Sequence, residues 1–282
     1  MMFRRVSAGM LVVAAFRLYR HHFWRLLIFP LIFSTFATLG QMLLFQPMRA
    51  PLAAFWQNVN GENSVQAISA MRVLMQDVMP SLLLWLVYLA TVGLLLNAFV
   101  VGGITRIAMT IMHKKDLQEP TQAIYSEIKY TPKWYVTALL QNVVLLVLVF
   151  VPSLAVGILA LFLPAFASLG VFAVAFIAIV GYAAIAMFFP IVLCEEKGWR
   201  RAIPRTWQLF RRRPGLVITM GLWLIMLQAA ATSFGALFAG GLPLQMAVTA
   251  LLAPVSTVAV CMMYEELCQG VKGDSAEDLK DV

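Results

Sequence analysis

Long uncharged apolar runs dominate this chain and predict helices that cross a membrane. The runs cover residues 26 to 48, 78 to 105, 134 to 194 and 214 to 264. About 20 apolar residues cross a hydrocarbon core of roughly 30 Å, so the first two runs hold one span each. The last two runs, of 61 and 51 residues, hold two spans each. The pattern therefore predicts an all-α polytopic membrane protein with six transmembrane helices.

Turn-forming residues divide the two longest runs. We expect one break in the region Pro164 to Gly170 and the other near Gly240 to Pro243. The approximate spans are then 26–46, 80–104, 134–161, 168–192, 215–236 and 243–264. They form a single membrane domain over residues 1–270, and residues 271–282 follow as an acidic cytoplasmic tail that we expect to be mobile.

The spans pair into three hairpins, and a short segment rich in aromatic and basic residues precedes each hairpin. These segments are Ala15 to Trp24, Ala123 to Trp134 and Ala202 to Gly215. Each is expected to be a cytoplasmic interfacial amphipathic helix, which gives a threefold pseudo-repeat. The third is the clearest, because Ile203, Trp207 and Phe210 recur at helical spacing with arginines opposite. We expect this helix to lie flat on the lipid surface.

The basic residues indicate the orientation of the spans. Of the 21 Lys and Arg residues, 19 lie before the first span, between the second and third, between the fourth and fifth, or after the sixth. By the positive-inside rule both termini are cytoplasmic. The same rule accounts for the net charge of +8 without nucleic acid as a partner. Such a face attracts anionic lipid headgroups by about 1 kcal/mol per well-placed cation.

Composition excludes several classes of protein. The chain is 62% hydrophobic and 12% charged, with a mean hydropathy of +0.86. These values exclude a soluble enzyme, a secreted disulfide scaffold and a disordered chain. The three histidines do not form H-E-x-x-H, and the three cysteines form no C-x-x-C pair. We therefore predict no catalytic set, no cofactor and no metal site.

Three amides are the candidate polar groups inside the membrane: Asn97, Gln141 and Asn142. One interpretation is a polar path or ligand pocket, and the other is hydrogen bonding between helices, worth roughly 1 kcal/mol each. An unpaired amide in hydrocarbon costs several kcal/mol. We therefore expect all three amides to face protein rather than lipid.

Charged residues at the cytoplasmic ends of the fourth to sixth spans are the second candidate site. Glu195 and Glu196 end the fourth span, as Glu265 and Glu266 end the sixth, where the helix dipole disfavours carboxylates. They should therefore have cationic neighbours. The expected lipid or partner face adds the following residues of the third lead-in helix: Arg205, Trp207, Phe210, Arg211, Arg212 and Arg213. The alternative is a purely structural rim of ion pairs.

A family resemblance appears in the same region. Residues 190–198, PIVLCEEKG, followed by Ala202-Ile203 and residues 205–209, RTWQL, resemble the membrane domain of glycerophosphoryl diester phosphodiesterases and related six-span bacterial inner-membrane proteins. Arg211 to Arg213 and the stretch Pro254 to Tyr264 extend the similarity. The resemblance implies a six-helix fold in the bacterial inner membrane. It implies no phosphodiesterase activity, because the hydrolytic residues of that group lie in a fused barrel for which this chain has no room.

These observations favour a non-enzymatic membrane protein. We expect it to act as a scaffold or accessory for a membrane or soluble protein partner, or for anionic lipid, at the cytoplasmic face. The alternative is a small permease or lipid transporter with a polar cavity between hairpins. A membrane-embedded enzyme is the third candidate.

Overall fold

The computed structural model describes residues 6–33, 35–36, 39–40, 43–44, 50, 72, 76, 78–113, 120–162, 167–195, 199–237 and 241–277. All regular secondary structure within these residues is helical. The chain forms two compact units, one of Met1–Pro30 with Ala98–Val282 and the other of Leu31–Asn97. The candidate charged site lies wholly in the first unit.

The helices in chain order are α1 (Ala8–His21), α2 (Phe23–Phe33), α3 (Met79–Tyr88), α4 (Leu94–Met112), α5 (Pro120–Phe162), α6 (Ala167–Ala186), α7 (Phe188–Cys194), α8 (Ala202–Arg212), α9 (Pro214–Leu237) and α10 (Gly241–Glu277). A π-helical turn, Leu89–Gly93, joins α3 to α4. A 3₁₀ turn, Trp199–Arg201, precedes α8.

Among the residues that the structure describes, four helical segments are long and apolar enough to cross a membrane. They are Met79–Met112, Tyr130–Leu159, Ser168–Cys194 and Ala247–Gln269. A fifth is obtained if α8 and α9, which meet at 106°, are counted as one broken span. The chain is thus an all-helical protein with four to five apolar helices that suit a membrane, as the composition predicts.

The limits of the predicted spans agree with those of the helices to different degrees. Spans 80–104, 134–161, 168–192 and 243–264 coincide with the four long segments. Span 215–236 lies within α9. Of span 26–46 the structure describes residues 26–33, 35–36, 39–40 and 43–44, all of them helical, and its beginning belongs to the short apolar helix α2.

Within the first unit, consecutive long helices pack side by side. α5 packs against α6, and α9 packs against α10 and α6. Helix α1 lies on α10 and α9. Its buried side consists of Ala8, Leu11, Val12, Ala15 and Tyr19. The N-terminal segment is therefore part of the packed bundle, where the sequence predicted only a surface lead-in starting at Ala15.

Two helix boundaries differ from the predicted ones. α5 is continuous through Pro132, so the second lead-in is not a separate interfacial helix. A proline removes one backbone hydrogen bond, and a membrane helix tolerates that loss. α10 runs on to Glu277, so the acidic tail begins as a continuation of the sixth span's helix. Residues 278–282 lie outside the described residues.

Burial in the first unit is concentrated at one end of the long helices. The buried positions lie in the starts of α5 and α9 and in the ends of α4, α6 and α10, together with α7. The other halves of α5 and α6 expose large apolar side chains, such as Phe150 and Phe172. Charged residues surround the packed end, which is the end that the positive-inside rule assigns to the cytoplasm.

Candidate functional site

The candidate site is a set of ionic and aromatic side chains around helix α8. We call it the charged rim and define it by Glu195, Arg205, Arg213, Glu265 and Glu266. Glu195 follows the last residue of α7, and its backbone N–H donates to the Ile191 carbonyl. Glu265 and Glu266 lie within α10 rather than at its end. The helix dipole therefore acts against Glu195 only.

Two ion pairs join α8 and its end to the neighbouring helices. The Nε of Arg205 donates to Oε1 of Glu195 at 2.6 Å. The Nη1 of Arg213 donates to Oε1 of Glu266 at 2.7 Å. The cationic partners expected for these carboxylates are thus present, whereas Glu196 lies outside the described residues. The two pairs fix α8 near its middle to the end of α7, and at its C-terminal end to α10.

The Arg205 pair is the more enclosed of the two. The side chains of Arg205 and Glu195 are 26% and 13% exposed, against 32% and 22% for Arg213 and Glu266. Burial of the Arg205 guanidinium lowers its pKa, but the hydrogen bond and charge of Glu195 outweigh this effect. The pKa of Arg205 therefore lies above its ordinary value. Tyr264 extends the pair, because its hydroxyl donates to the same Glu195 oxygen at 3.5 Å.

His113 supplies the third carboxylate contact. Its Nε2 lies 3.3 Å from Oε1 of Glu265, and its Nδ1 lies 2.8 Å from the Met109 carbonyl oxygen. Both ring nitrogens face oxygen atoms, and which of them donates depends on the tautomer of the ring. This contact joins the end of α4 to α10. The sequence did not indicate it, because His113 and Glu265 lie in separate parts of the chain.

Helix α8 has three distinct sides. Successive residues of an α-helix are 100° apart, because one turn holds 3.6 residues. Ala202, Thr206 and Leu209 form the side that is buried against protein. Ile203 and Trp207 are 46% and 54% exposed and lie on a second side with Phe210. The third side is polar and carries the following residues: Arg201, Arg205, Gln208 and Arg212.

The three consecutive arginines after Phe210 have different environments. The guanidinium of Arg211 lies 5.0 Å from the centroid of the Trp207 ring, which is itself stacked on Phe210 at 5.6 Å. Arg212 is exposed, and Arg213 is held by Glu266. The sequence treats these arginines as one lipid-binding cluster. The structure instead places Arg213 in an ion pair within the rim.

The three intramembrane amides differ in exposure. Gln141 is half-buried, and Asn97 and Asn142 are exposed. The Nδ2 of Asn142 donates to the Ala138 carbonyl oxygen at 2.8 Å. An asparagine can satisfy part of its amide on the preceding helical turn in this way. The expectation that all three amides face protein stays a prediction.

Metal chemistry finds no support in the part of the chain that the structure describes. No group of three His, Cys, Asp or Glu side chains there is close enough to hold a metal ion. The cysteines are free thiols: Cys194 is exposed, Cys261 is buried and Cys268 is half-buried. The rim can therefore form ion pairs and bind anions, and these properties limit the chemistry that we assign to it.

Comparisons with protein-family models, curated proteins and solved structures found no match. The resemblance to the membrane domain of glycerophosphoryl diester phosphodiesterases stays a prediction from the residues quoted above.

Proposed function

We propose that this chain is a non-enzymatic, six-span inner-membrane protein with both termini in the cytoplasm. Its charged rim faces the cytoplasm, and α8 holds anionic lipid there so that the protein serves as a scaffold or accessory at the membrane surface. The 19 of 21 basic residues on one side support this orientation.

The arrangement of α8 carries the proposal. The helix meets α9 at 106°, so if α9 crosses the membrane, α8 lies close to the membrane plane. Its apolar side, with Ile203 and Trp207, is exposed and points away from the polar side with Gln208. Interfacial helices bury such an apolar side at the boundary between headgroups and acyl chains. Arg211, stacked on Trp207, then lies at headgroup depth.

The ion pairs make this arrangement rigid. An interfacial helix joined by one flexible turn would be free to leave the surface. Here Arg205 and Arg213 hold α8 to α7 and α10, and Leu209 is buried against the bundle. The exposed apolar side therefore keeps a fixed orientation relative to the bundle.

The transporter alternative has no comparable support. It requires the polar amides to line a shared cavity, and the amide of Asn142 instead donates within its own helix, to the Ala138 carbonyl oxygen. We therefore prefer the lipid-binding scaffold.

Spin labels on α8 test the proposal. In protein whose native cysteines are replaced, a cysteine at Ile203 and one at Gln208 each receive a label, and the proteins are reconstituted with phosphatidylcholine and phosphatidylglycerol. We expect the label at Ile203 to be reached by oxygen from the bilayer and the label at Gln208 by a water-soluble nickel reagent, because the two positions lie on opposite sides of α8. Equal access to both reagents at both positions would show that α8 is not a surface helix.

A lipid measurement tests the functional part. We expect Trp207→Gln to lower the amount of phosphatidylglycerol that co-purifies with the protein. The substitution removes the ring that anchors α8 and that contacts the Arg211 guanidinium. The matched control is Trp24→Gln, since Trp24 is also exposed, at 77%, but belongs to α2. An equal loss in both variants would contradict a specific role for α8.

A further inference from the structure

An open cavity of about 720 Å³ lies beside the rim, between the start of α1 and the junction of α8 with α9. One wall consists of residues 6–9. The opposite wall consists of the following residues: Arg212, Arg213, Gly215, Leu216, Thr219 and Trp223. All of these residues belong to the first unit. Neither the ion pairs of the rim nor the apolar side of α8 explains the cavity.

The two arginines of the cavity differ in their balance of charge. Arg213 is neutralised by Glu266 at 2.7 Å. Arg212 is exposed and forms no ion pair with any carboxylate in the described residues. No acidic side chain is among the described residues that line the cavity. The described lining therefore carries a net positive charge.

The α9 wall changes from open and polar to apolar along its length. Gly215, Thr219 and Trp223 lie four residues apart and so share one side of α9. At 1.5 Å per residue, they extend about 12 Å from the arginines into the segment that enters the membrane. Leu216 and the Trp223 ring supply apolar lining, and the ring lies 3.8 Å from the position that a Cβ on Gly9 would occupy. This profile suits an amphiphile with an anionic head.

We propose that the cavity binds the phosphate group of an amphiphilic phosphate ester, with Arg212 as the main contact. Arginine donates parallel N–H groups that match phosphate oxygens. The cavity is much larger than a phosphate, and its apolar lining accommodates the remainder of the ester. This proposal rests on the proposed function, which places the cavity at the cytoplasmic lipid surface. An anionic phospholipid is one source of the phosphate, and a soluble phosphate ester is the other.

Two matched pairs of variants test the site. Arg212→Gln removes a cation that forms no ion pair within the described residues, and Arg201→Gln makes the same change of charge on the same polar side of α8, at a residue that is not among those lining the cavity. Gly215→Leu fills the cavity without changing charge. A Cβ on Gly215 meets no atom within 4 Å, so the new side chain has room. Gly157→Leu is its control, because Gly157 has equally open surroundings but lies in α5.

Native mass spectrometry of delipidated protein titrated with phosphatidylglycerol measures the binding. We expect one lipid bound by the wild type. Arg212→Gln should bind it about tenfold more weakly, since the loss of a charged hydrogen bond of about 1.5 kcal/mol corresponds to about a factor of ten. Gly215→Leu should also bind it about tenfold more weakly, because the new side chain fills the cavity. Arg201→Gln and Gly157→Leu should match the wild type. Where the wild type binds phosphatidylglycerol, equal binding by Arg212→Gln and Arg201→Gln, or wild-type binding by Gly215→Leu, would overturn the site.

A second arm identifies the source of the phosphate. Glycerol 3-phosphate and inorganic phosphate are added to delipidated wild type and Arg212→Gln, and the thermal transition is recorded. Stabilisation of the wild type alone by glycerol 3-phosphate, without lipid binding, supports the site and assigns it to a soluble ester. The labels at Ile203 and Gln208 report on α8 independently of Arg212, so failure of the cavity and failure of the proposed function give different results.

Discussion

The pair of Arg205 and Glu195 shows what a single contact contributes at the rim. Glu195 lies at the C-terminal end of α7, where the helix dipole opposes its charge. Arg205 offsets this effect at 2.6 Å, and the Tyr264 hydroxyl approaches the same carboxylate oxygen. Removal of the arginine would leave a carboxylate that is only 13% exposed without its main partner. Leaving a buried charge without its main partner costs more free energy of folding than the intact ion pair contributes.

We therefore predict that Arg205→Gln lowers the free energy of unfolding by about 1–2 kcal/mol in mild detergent, as expected for a partly enclosed charged hydrogen bond. Arg201→Gln is the control, since Arg201 is exposed on the same polar side of α8. A double-mutant cycle with Glu195→Gln, read from thermal unfolding, isolates the pair. Additive effects of the two substitutions would mean that the contact does not couple α8 to α7.

Sequence reasoning at this scale succeeded where the physical requirement was general. It indicated that Glu195 and Glu266 needed cations near them, and the arginines around α8 supply those cations. It could not choose the partners, because Arg213 and Glu266 are 53 residues apart and meet only through packing. It also could not reveal the bond of Asn142 to Ala138, because that bond depends on the rotamer of the asparagine side chain.

At the scale of elements, the spacing of apolar residues distinguished the sides of a helix only where one of those sides is polar. The stripe of Ile203, Trp207 and Phe210 predicted α8 correctly as an amphipathic helix. In α9 and in the part of α5 after Asn142 nearly every residue is apolar, so the pattern cannot indicate which side packs against protein. The buried side of α1 from Ala8 to Tyr19 was missed because residues 8–16 are uniformly apolar and show no polar side.

Small residues show where the uniformly apolar helices meet. Gly221 of α9 is buried, and a Cβ there would lie 2.8 Å from the backbone oxygen of Ile179 in α6. Backbone atoms cannot move aside as a flexible side chain can. Close approach of helices at small residues is a main source of attraction between membrane helices. The contact between α6 and α9 therefore depends on glycine at this position.

We predict that Gly221→Ala destabilises the protein by about 1–3 kcal/mol, the usual range for overpacking. Gly157→Ala should be neutral or slightly stabilising, because a Cβ there meets nothing within 4 Å and alanine favours the helix by up to about 1 kcal/mol. Thermal unfolding of both variants in one detergent checks the difference. If the two variants unfold at the same temperature, α6 and α9 do not pack as described.

At the scale of the whole molecule, the sequence predicted the class better than the number of crossings. Uncharged runs of 61 and 51 residues require helices in a membrane whatever their packing. The concentration of burial at the charged end could not be foreseen, because Phe150 and Phe172 are as apolar as the buried Phe188 and Phe189. The difference arises from which helix halves approach one another. Pattern alone does not contain that information.

The arrangement of six spans makes a prediction that separates it from four or five. Asn60 lies in the segment 47–79 between the first and second predicted spans, outside the described residues, and Ser275 lies near the end of α10. Six crossings with cytoplasmic termini place Asn60 outside and Ser275 inside. If residues 26–46 did not cross the membrane, the N-terminus and Asn60 would lie on the same side.

We therefore expect a cysteine at Asn60 to react with an impermeant thiol reagent in intact cells and one at Ser275 to react only after lysis. Cys194, Cys261 and Cys268 are first replaced, because Cys194 is exposed and would react on lysis in both proteins. A third cysteine in place of Ser7, which caps α1, reports the side of the N-terminus. Labelling of Ser7→Cys only after lysis, together with Asn60→Cys from outside, requires a crossing between them. Protection of both in intact cells would show that the first hairpin does not cross, and the number of spans would fall to four.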